Sequence, residues 1–225
     1  MIESKISSPL AGGHKPIQSF VRREGRMSSR QRCALKTLEE KYGIDFPPSD
    51  RKRILEIGFG MGHSLLTMAL ANPDQNFIGV EVYRTGVGNL LANLEDQGVM
   101  NVRVLCADAV VVLEEALSDN SLDRVQLFFP DPWPKKRHHK RRLLQTPFAE
   151  KIADKLKSGG VFHMATDWEN YAEHMLVVLS TSPHFINSAG LGQFAERPSY
   201  RPLTKYEQRG QALGHGVWDL LFIKK

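Results

Sequence analysis

The chain has 225 residues, 41% of them hydrophobic and 24% charged; that is the balance of a soluble globular protein and the length of one α/β domain with an appended arm. Lys and Arg outnumber Asp and Glu by 30 to 25, a net charge of +5, which suits a polyanionic partner without requiring one. No stretch approaches membrane-spanning length and no apolar leader opens the sequence, so a membrane partner is not expected. Cys33 and Cys106 lie far apart and in no metal-type spacing; zinc and a disulfide are both disfavoured, and reduced thiols in a cytoplasm are expected.

Residues 1–19 are polar and carry Gly12, Gly13, Pro9 and Pro16, the composition of a mobile arm. A basic patch follows, with Arg22, Arg23, Arg26, Arg30 and Arg32. Ala34, Leu35 and Leu38 give a short amphipathic helix, ended by Gly43 and Pro47-Pro48. This segment reads either as a solvated basic face or as a nucleic-acid arm. Residues 1–50 are therefore expected to form an N-terminal basic arm and short helix, and residues 51–225 the main domain.

From residue 51 strands and helices alternate. Strands are predicted at 53–57, 77–81, 102–106, 123–129 and 161–165, with helices at 64–71, around 87–94, 110–116, from Thr146 to Leu156, and at 168–180. Thr146 is the expected N-cap of its helix, Pro147 its first turn and Gly159-Gly160 its end. Two strands, 184–188 and 217–223, close the chain across a long connection. The alternation predicts an α/β fold, a parallel sheet with helices on both faces. Ligands of such sheets sit outside the carboxyl ends of the strands. That rule singles out Glu56, Glu81, Asp108, Asp131 and Asp167, each at or just after a strand end. Any one of them could be a helix cap; five along one edge are hard to explain that way.

The first strand runs into Glu56-Ile57-Gly58-Phe59-Gly60-Met61-Gly62. A glycine loop alone is a weak signal, since it can be a plain tight turn. A nicotinamide site would prefer G-x-G-x-x-G with pyrophosphate at the helix start. Here the spacing is G-x-G-x-G, and a carboxylate placed two residues ahead would repel a pyrophosphate. It suits a ligand carrying an ammonium and a sulfonium, as S-adenosylmethionine does. Glu81 is placed to accept ribose hydroxyls, and Asp108 lies within reach of an adenine amino group or simply caps the next helix.

The most distinctive segment is Leu127-Phe128-Phe129-Pro130-Asp131-Pro132-Trp133-Pro134. Two prolines would hold the Asp131 carboxylate and the Trp133 indole in place, a pair able to hydrogen-bond a base edge and stack on its face. Residues 135–142 then hold six Lys or Arg and two histidines. Such a run is often only a solvated stretch, but beside the acidic edge it reads as a phosphate-binding surface. Adjacent histidines with no acid or cysteine to complete a set give little reason to expect a metal.

The segment Phe129 to Lys135, followed by Arg137 to Arg142, resembles the signature of the tRNA (guanine-N(7)-)-methyltransferase family. Glu56 with its glycine loop, Gly79-Val80-Glu81-Val82, Thr166-Asp167-Trp168 and Thr204-Lys205-Tyr206-Glu207-Gln208-Arg209-Gly210 support it, from about residue 20 to the end. Pro134 departs from the pattern, which can carry a polar residue such as His there. The resemblance implies a doubly wound, Rossmann-like methyltransferase sheet of seven strands, mostly parallel with an antiparallel last strand. It implies S-adenosylmethionine as cofactor and a guanosine in the tRNA variable loop as substrate, in a monomer or homodimer. Glu56, Gly58, Gly60, Gly62, Glu81, Asp108 and Asp131 would line the cofactor site, with Asp131 at the chemistry. Lys135, Asp167, Thr204, Lys205, Tyr206 and Glu207 would meet the substrate. Arg137, His138, His139, Lys140, Arg141 and Arg142 would contact RNA.

Three other readings compete. An adenine amino-methyltransferase uses an Asp/Asn-Pro-Pro-aromatic turn, which Asp131-Pro132-Trp133 approaches without matching. A non-catalytic RNA-binding protein on the same scaffold would have no need of Glu56, Glu81 and Asp131 together. A nicotinamide-dependent dehydrogenase is disfavoured by the loop spacing.

Overall fold

A computed structural model describes residues 19–20, 25–43, 50–204, 207 and 216–225. Its strands are β1 (Arg53–Ile57), β2 (Asn76–Val80), β3 (Val102–Leu105), β4 (Leu122–Phe128), β5 (Leu156–Thr166), β6 (Phe185–Asn187) and β7 (Trp218–Lys224). Its helices are α1 (Ser29–Leu38), α2 (His63–Ala71), α3 (Arg84–Asp96), α4 (Ala109–Glu115), α5 (Thr146–Lys155) and α6 (Glu169–Ser180), and a 3-10 turn spans Lys136–Arg141. The strands form one seven-stranded sheet in the order β3-β2-β1-β4-β5-β7-β6. The first five pair in parallel, and β7 runs antiparallel to both β5 and β6. The predicted α/β class and antiparallel last strand are thus present.

Helices cover both faces because a parallel sheet needs crossovers, and its strands are apolar on both sides. β2 is buried along its whole length. On one face Leu55, Ile57, Val125, Leu127, Phe162 and Met164 pack with side chains of α4, α5 and α6. On the other, Ile54, Phe77, Val102 and Val104 pack with α1, α2 and α3. The short basic helix α1 starts at a capping box between Ser28 and Gln31 and buries Ala34 and Leu35. Behind it Tyr42 is buried, and its carbonyl accepts from the Val104 N–H at 2.8 Å. Arg22, Arg23 and the arm before Ser19 lie outside the described residues.

Two local expectations change. Gly159-Gly160 does not end α5, because β5 begins at Leu156 and runs through both glycines. The pairing of β4 with β5 shifts register between Leu122 and Arg124, and Gly159 sits at φ +78°, so the glycines serve a strand irregularity. The N-cap of α5 is Gln145 rather than Thr146, with Pro147 in the first turn and no side-chain cap; proline's fixed φ already matches that turn.

One glycine in α3 is set by tertiary packing. A Cβ on Gly86 would stand 1.9 Å from the carbonyl oxygen of Gly60, so the first turn of α3 lies directly against the glycine loop. Ala in a helix gains about 1 kcal/mol over Gly, but overpacking against a backbone atom costs about 1–3 kcal/mol or more. Gly86→Ala is therefore expected to lower stability by about 1–2 kcal/mol in urea unfolding. A more stable variant would contradict the contact.

Candidate active site

Strand order reverses between β1 and β4, and the crevice outside the carboxyl ends opens there. Ile57 and Gly58 at the end of β1, Glu81 after β2, Asp108 after β3 and Phe128 to Asp131 at the end of β4 line one cleft, together with Ser19 and Phe20. Four of the predicted site residues, Gly58, Glu81, Asp108 and Asp131, thus meet in one place. Gly60 and Gly62 do not line it, and they shape the loop instead. The Gly60 N–H donates to Glu81 Oε2 at 2.8 Å, and Gly62, at φ +78°, caps α2 where a Cβ would strike Leu90. Gly58 and Gly60 leave open space where side chains would stand.

Glu81 also accepts at Oε1 from the N–H groups of Val82 (2.7 Å) and Tyr83 (3.0 Å). Three of its roughly four lone-pair sites are therefore held by backbone, which leaves room for one further strong donor rather than two. Asp108 plays both roles open to it: Oδ1 caps α4 through the Val110 N–H at 2.8 Å, while the residue lines the cleft. Glu56 lies beneath, 3% exposed, and its Oε2 has no hydrogen-bond partner. Burial, and then the neighbouring Glu81 charge, push its carboxyl up from 4.5 to about 8. An unpaired buried acceptor, an open glycine cradle and spare carboxylate sites fit a ligand that brings a cation, a hydroxyl and an amino group.

The β4 exit is strained. Phe129 (φ +50°) and Trp133 (φ +46°) are non-glycine residues in the left-handed region, a strain that persists only where surroundings hold it. The Phe129 N–H is pinned to the Ala165 carbonyl at 2.7 Å. Asp131 stands exposed at the cleft rim, with no hydrogen bond among the described residues. Trp133 is not the free stacking platform expected. Its indole N–H donates to the Ser19 carbonyl at 3.0 Å, and the Arg141 guanidinium lies 4.8 Å from its ring. It latches the Ser19-Phe20 segment to the site, a contact across 114 residues that no local pattern announces.

The basic run forms the 3-10 turn. Lys135, Lys136, Arg137 and Lys140 are exposed, and His138, His139 and Arg141 are half-buried. Partial burial and then the surrounding cations hold the His138 imidazole below its usual value. Arg142 departs from the RNA-contact expectation. It is 3% exposed, donates to the Pro132 carbonyl (3.0 Å) and Asn170 Oδ1 (2.8 Å), and lies over the Tyr171 ring. Its donors brace the proline turn against α6, so it holds the surface that others present.

Asp167 is exposed after β5, and it does not cap the helix beside it: α6 has no side-chain cap, and Thr166 Oγ1 accepts from the Trp168 N–H just ahead of the helix. That frees Asp167 from its structural alternative. Trp168, 41% exposed, is an aromatic surface to which no role was assigned from sequence. Thr204 Oγ1 accepts from the Glu207 N–H at 3.1 Å. Glu207, expected to reach the base, is 3% exposed, and both its oxygens accept from Arg201. It anchors the connection in this structure and is not an open substrate contact. Lys205 and Tyr206 lie outside the described residues.

Glu56 makes stability depend on pH. Its carboxyl titrates near 4.5 when unfolded and near 8 when folded, so between those values the folded state holds a proton that the unfolded state has released. Stability from this group is full below about pH 4.5 and is lost as pH rises through about 8. Glu56→Gln removes the titration. In cofactor-free protein the variant should gain on wild type from about pH 5 up to about 8 and level off above that, by on the order of a few kcal/mol, or several degrees in Tm. Parallel Tm curves for the two proteins would refute the burial of an unpaired carboxyl.

Residues 50–220 match a family model described as "Putative methyltransferase". A tRNA (guanine-N(7)-)-methyltransferase of Alcanivorax borkumensis is 54% identical over 221 residues, 94% of this chain and 92% of the relative. One of the same name from Sodalis glossinidius is 56% identical over 218 residues, 92% of this chain and 91% of the relative. Among solved structures, a SAM dependent methyltransferase from Aquifex aeolicus superposes with a TM-score of 0.52 at 13% identity, over 84% of this chain and 88% of that one, a likeness of fold. Identity above one half along nearly the whole length places this chain in the tRNA (guanine-N(7)-)-methyltransferase family.

Proposed function

We propose that the protein transfers a methyl group from S-adenosylmethionine to N7 of a guanosine in tRNA. One observation carries the reading: a carboxylate-lined cleft at the strand-order reversal ends in an exposed Asp131, with a row of exposed cations on the adjoining turn. S-adenosylmethionine supplies an electrophilic methyl group on a sulfonium when bound. Glu81 and Asp108, which line the cleft, would hold its ribose and adenine, and Glu56 would offer a buried acceptor near the glycine loop. Incubation with methyl-labelled cofactor and bulk tRNA, followed by nucleoside analysis, tests the reading. Label in 7-methylguanosine is expected; label in a methylated adenine would favour the amino-methyltransferase alternative.

Asp131 then works by position and charge. Guanine N7 carries an in-plane lone pair and no proton, so no base need remove one before attack. Orientation and proximity are the first requirement. Positive charge develops on the imidazole ring as the N7–carbon bond forms, and a fixed carboxylate at the rim favours that state. The same carboxylate can accept from base N–H groups. Asp131→Asn is expected to lower the single-turnover rate by roughly 10²–10³-fold, the scale of one preorganised electrostatic group, a larger loss than in cofactor affinity. With RNA and cofactor saturating, the wild-type rate should stay level across neutral pH. A tenfold rise per pH unit would point to proton removal.

Affinity for tRNA should be mainly electrostatic. With about four or five phosphate contacts, log affinity falls against log salt with a slope of roughly −3 to −4. Replacing exposed Arg137 and Lys140 together by Ala should flatten that slope by about one or two and spare cofactor binding. Arg142→Ala should instead reduce stability by about 2–4 kcal/mol through the loss of its bonds to the Pro132 carbonyl and Asn170 and of its packing on Tyr171. A wild-type slope near zero would remove the phosphate surface.

A further inference from the structure

The largest fully buried side chain among the described residues is Arg201, a cation on the long connection before β7. Two carboxylates flank it. Nε and Nη2 donate to Asp219 Oδ1 and Oδ2 at 2.7 and 2.8 Å. Nη1 and Nη2 donate to Glu207 Oε2 and Oε1 at 2.7 and 2.8 Å. Both forks are bidentate, the geometry that only a planar guanidinium provides. Asp219 takes a further bond, from His163 Nε2 at 2.7 Å, while Tyr200 donates to His163 Nδ1 at 2.9 Å. Burial, outweighing Asp219, holds the His163 imidazole below its usual value.

Such a cluster is an expensive way to stabilise a core. Desolvating three charges costs several kcal/mol per ion, and apolar side chains of similar volume often do as well. Its placement supplies a reason for it. Asp219 sits on β7 opposite Ala165 of β5, whose carbonyl pins the Phe129 N–H. Arg201 closes a turn through its own N–H to the Pro198 carbonyl, and its carbonyl accepts from Arg197. Glu207 and Thr204 hold each other in the reciprocal pattern of a capping box, with the Thr204 N–H 3.5 Å from Glu207 Oε2. The guanidinium lies 5.9 and 5.7 Å from the Phe128 and Phe129 ring centroids, within cation–π range. Those residues line the cleft, three and two positions before Asp131. One side chain therefore joins Glu207, and through it Thr204, to the strand end that presents Asp131.

We propose that Arg201 is a positioning residue for methyl transfer: its double fork to Asp219 and Glu207 fixes Glu207, and Thr204 bonded to it, beside Phe128-Phe129 and so sets the geometry around Asp131. It touches neither substrate nor cofactor, and it acts through the groups it holds. Displacement of such groups by about 1 Å is enough for roughly a 10²-fold loss of rate. Lys keeps the charge and loses the forks; Met keeps the bulk and loses both. This inference rests on the tRNA methyltransferase reading.

The test compares wild type, Arg201→Lys and Arg201→Met at a temperature well below each one's Tm. Cofactor affinity is read by calorimetry, tRNA affinity by filter binding, and the rate by single turnover with both saturating. For Arg201→Lys the expected result is affinities within about threefold of wild type and a rate lowered about tenfold or more. Arg201→Met should lose more, so that Lys recovers part of the loss. Should Arg201→Met fail to fold, Arg201→Lys decides alone. If that too is unfolded, Asp219→Asn, which keeps the shape and weakens one fork, should still lose rate at constant affinity. Folded variants with the wild-type rate would overturn the proposal and leave Arg201 a purely structural residue. Wild-type protein that methylates no tRNA guanine would instead overturn the functional reading.

Discussion

The constraint on which the site depends is the direction of its strands. Five parallel strands bring all their carboxyl ends to one edge of the sheet, and each crossover must leave from that edge. Between β1 and β4 the crossovers depart to opposite sides, so no connection covers the space above the gap. Glu56, Glu81, Asp108 and Asp131 follow from strands that are adjacent in space, though up to 75 residues apart in sequence. Helix α3 can press its Gly86 against Gly60 because β1 and β2 are neighbours. The glycine loop is thereby held from behind while its front stays open.

Within that edge the four carboxylates differ because their surroundings differ. Glu56 is desolvated and unpaired, so its proton is held to unusually high pH. Glu81 is fastened by three backbone N–H groups, which fix its geometry before any ligand arrives. Asp108 is half committed to a helix cap. Asp131 alone is exposed and unbonded among the described residues, on a turn whose backbone is strained at Phe129 and Trp133. Strain of this kind raises the energy of the free chain and is tolerated where neighbours over-determine the shape. Here Arg142 on the Pro132 carbonyl and the Ala165 carbonyl on Phe129 do so.

How legible this was in the sequence depended on whether the signal was local. β1 was predicted at its observed limits, and the acidic edge emerged from strand ends alone. Gly159-Gly160 misled because a glycine pair marks a helix end and a strand irregularity equally well; only the pairing of β5 with β4 separates them. Arg142 looked like its neighbours in a run of cations, and its burial depends on Asn170 and Tyr171, which the run does not mention. Trp133 carried an aromatic-platform signal, but its N–H partner comes from Ser19. Arg201 had no signal at all, since a lone arginine between Tyr200 and Pro202 reads as a surface residue. Its importance lies in carboxylates that meet only when β7 enters the sheet.

The two charge populations of the site would work against each other if they were mixed. A row of carboxylates repels phosphate, yet the substrate is a polyanion. The structure separates them by depth. Glu56 is buried, Glu81 and Asp108 are half-buried in the cleft, and Lys135, Lys136, Arg137 and Lys140 stand exposed on the turn outside it. In salt of physiological strength the exposed charges act over roughly 8 Å, so an approaching phosphate meets the cations first. The carboxylates act only on what enters the cleft, where a base brings N–H donors and a cofactor brings positive charge. Arg142 and Arg201 serve this division by being withdrawn from it. Each is a cation buried by specific acceptors, and each holds a loop on the boundary between the two populations. Attraction of RNA can then be tuned on the surface without disturbing the geometry beneath.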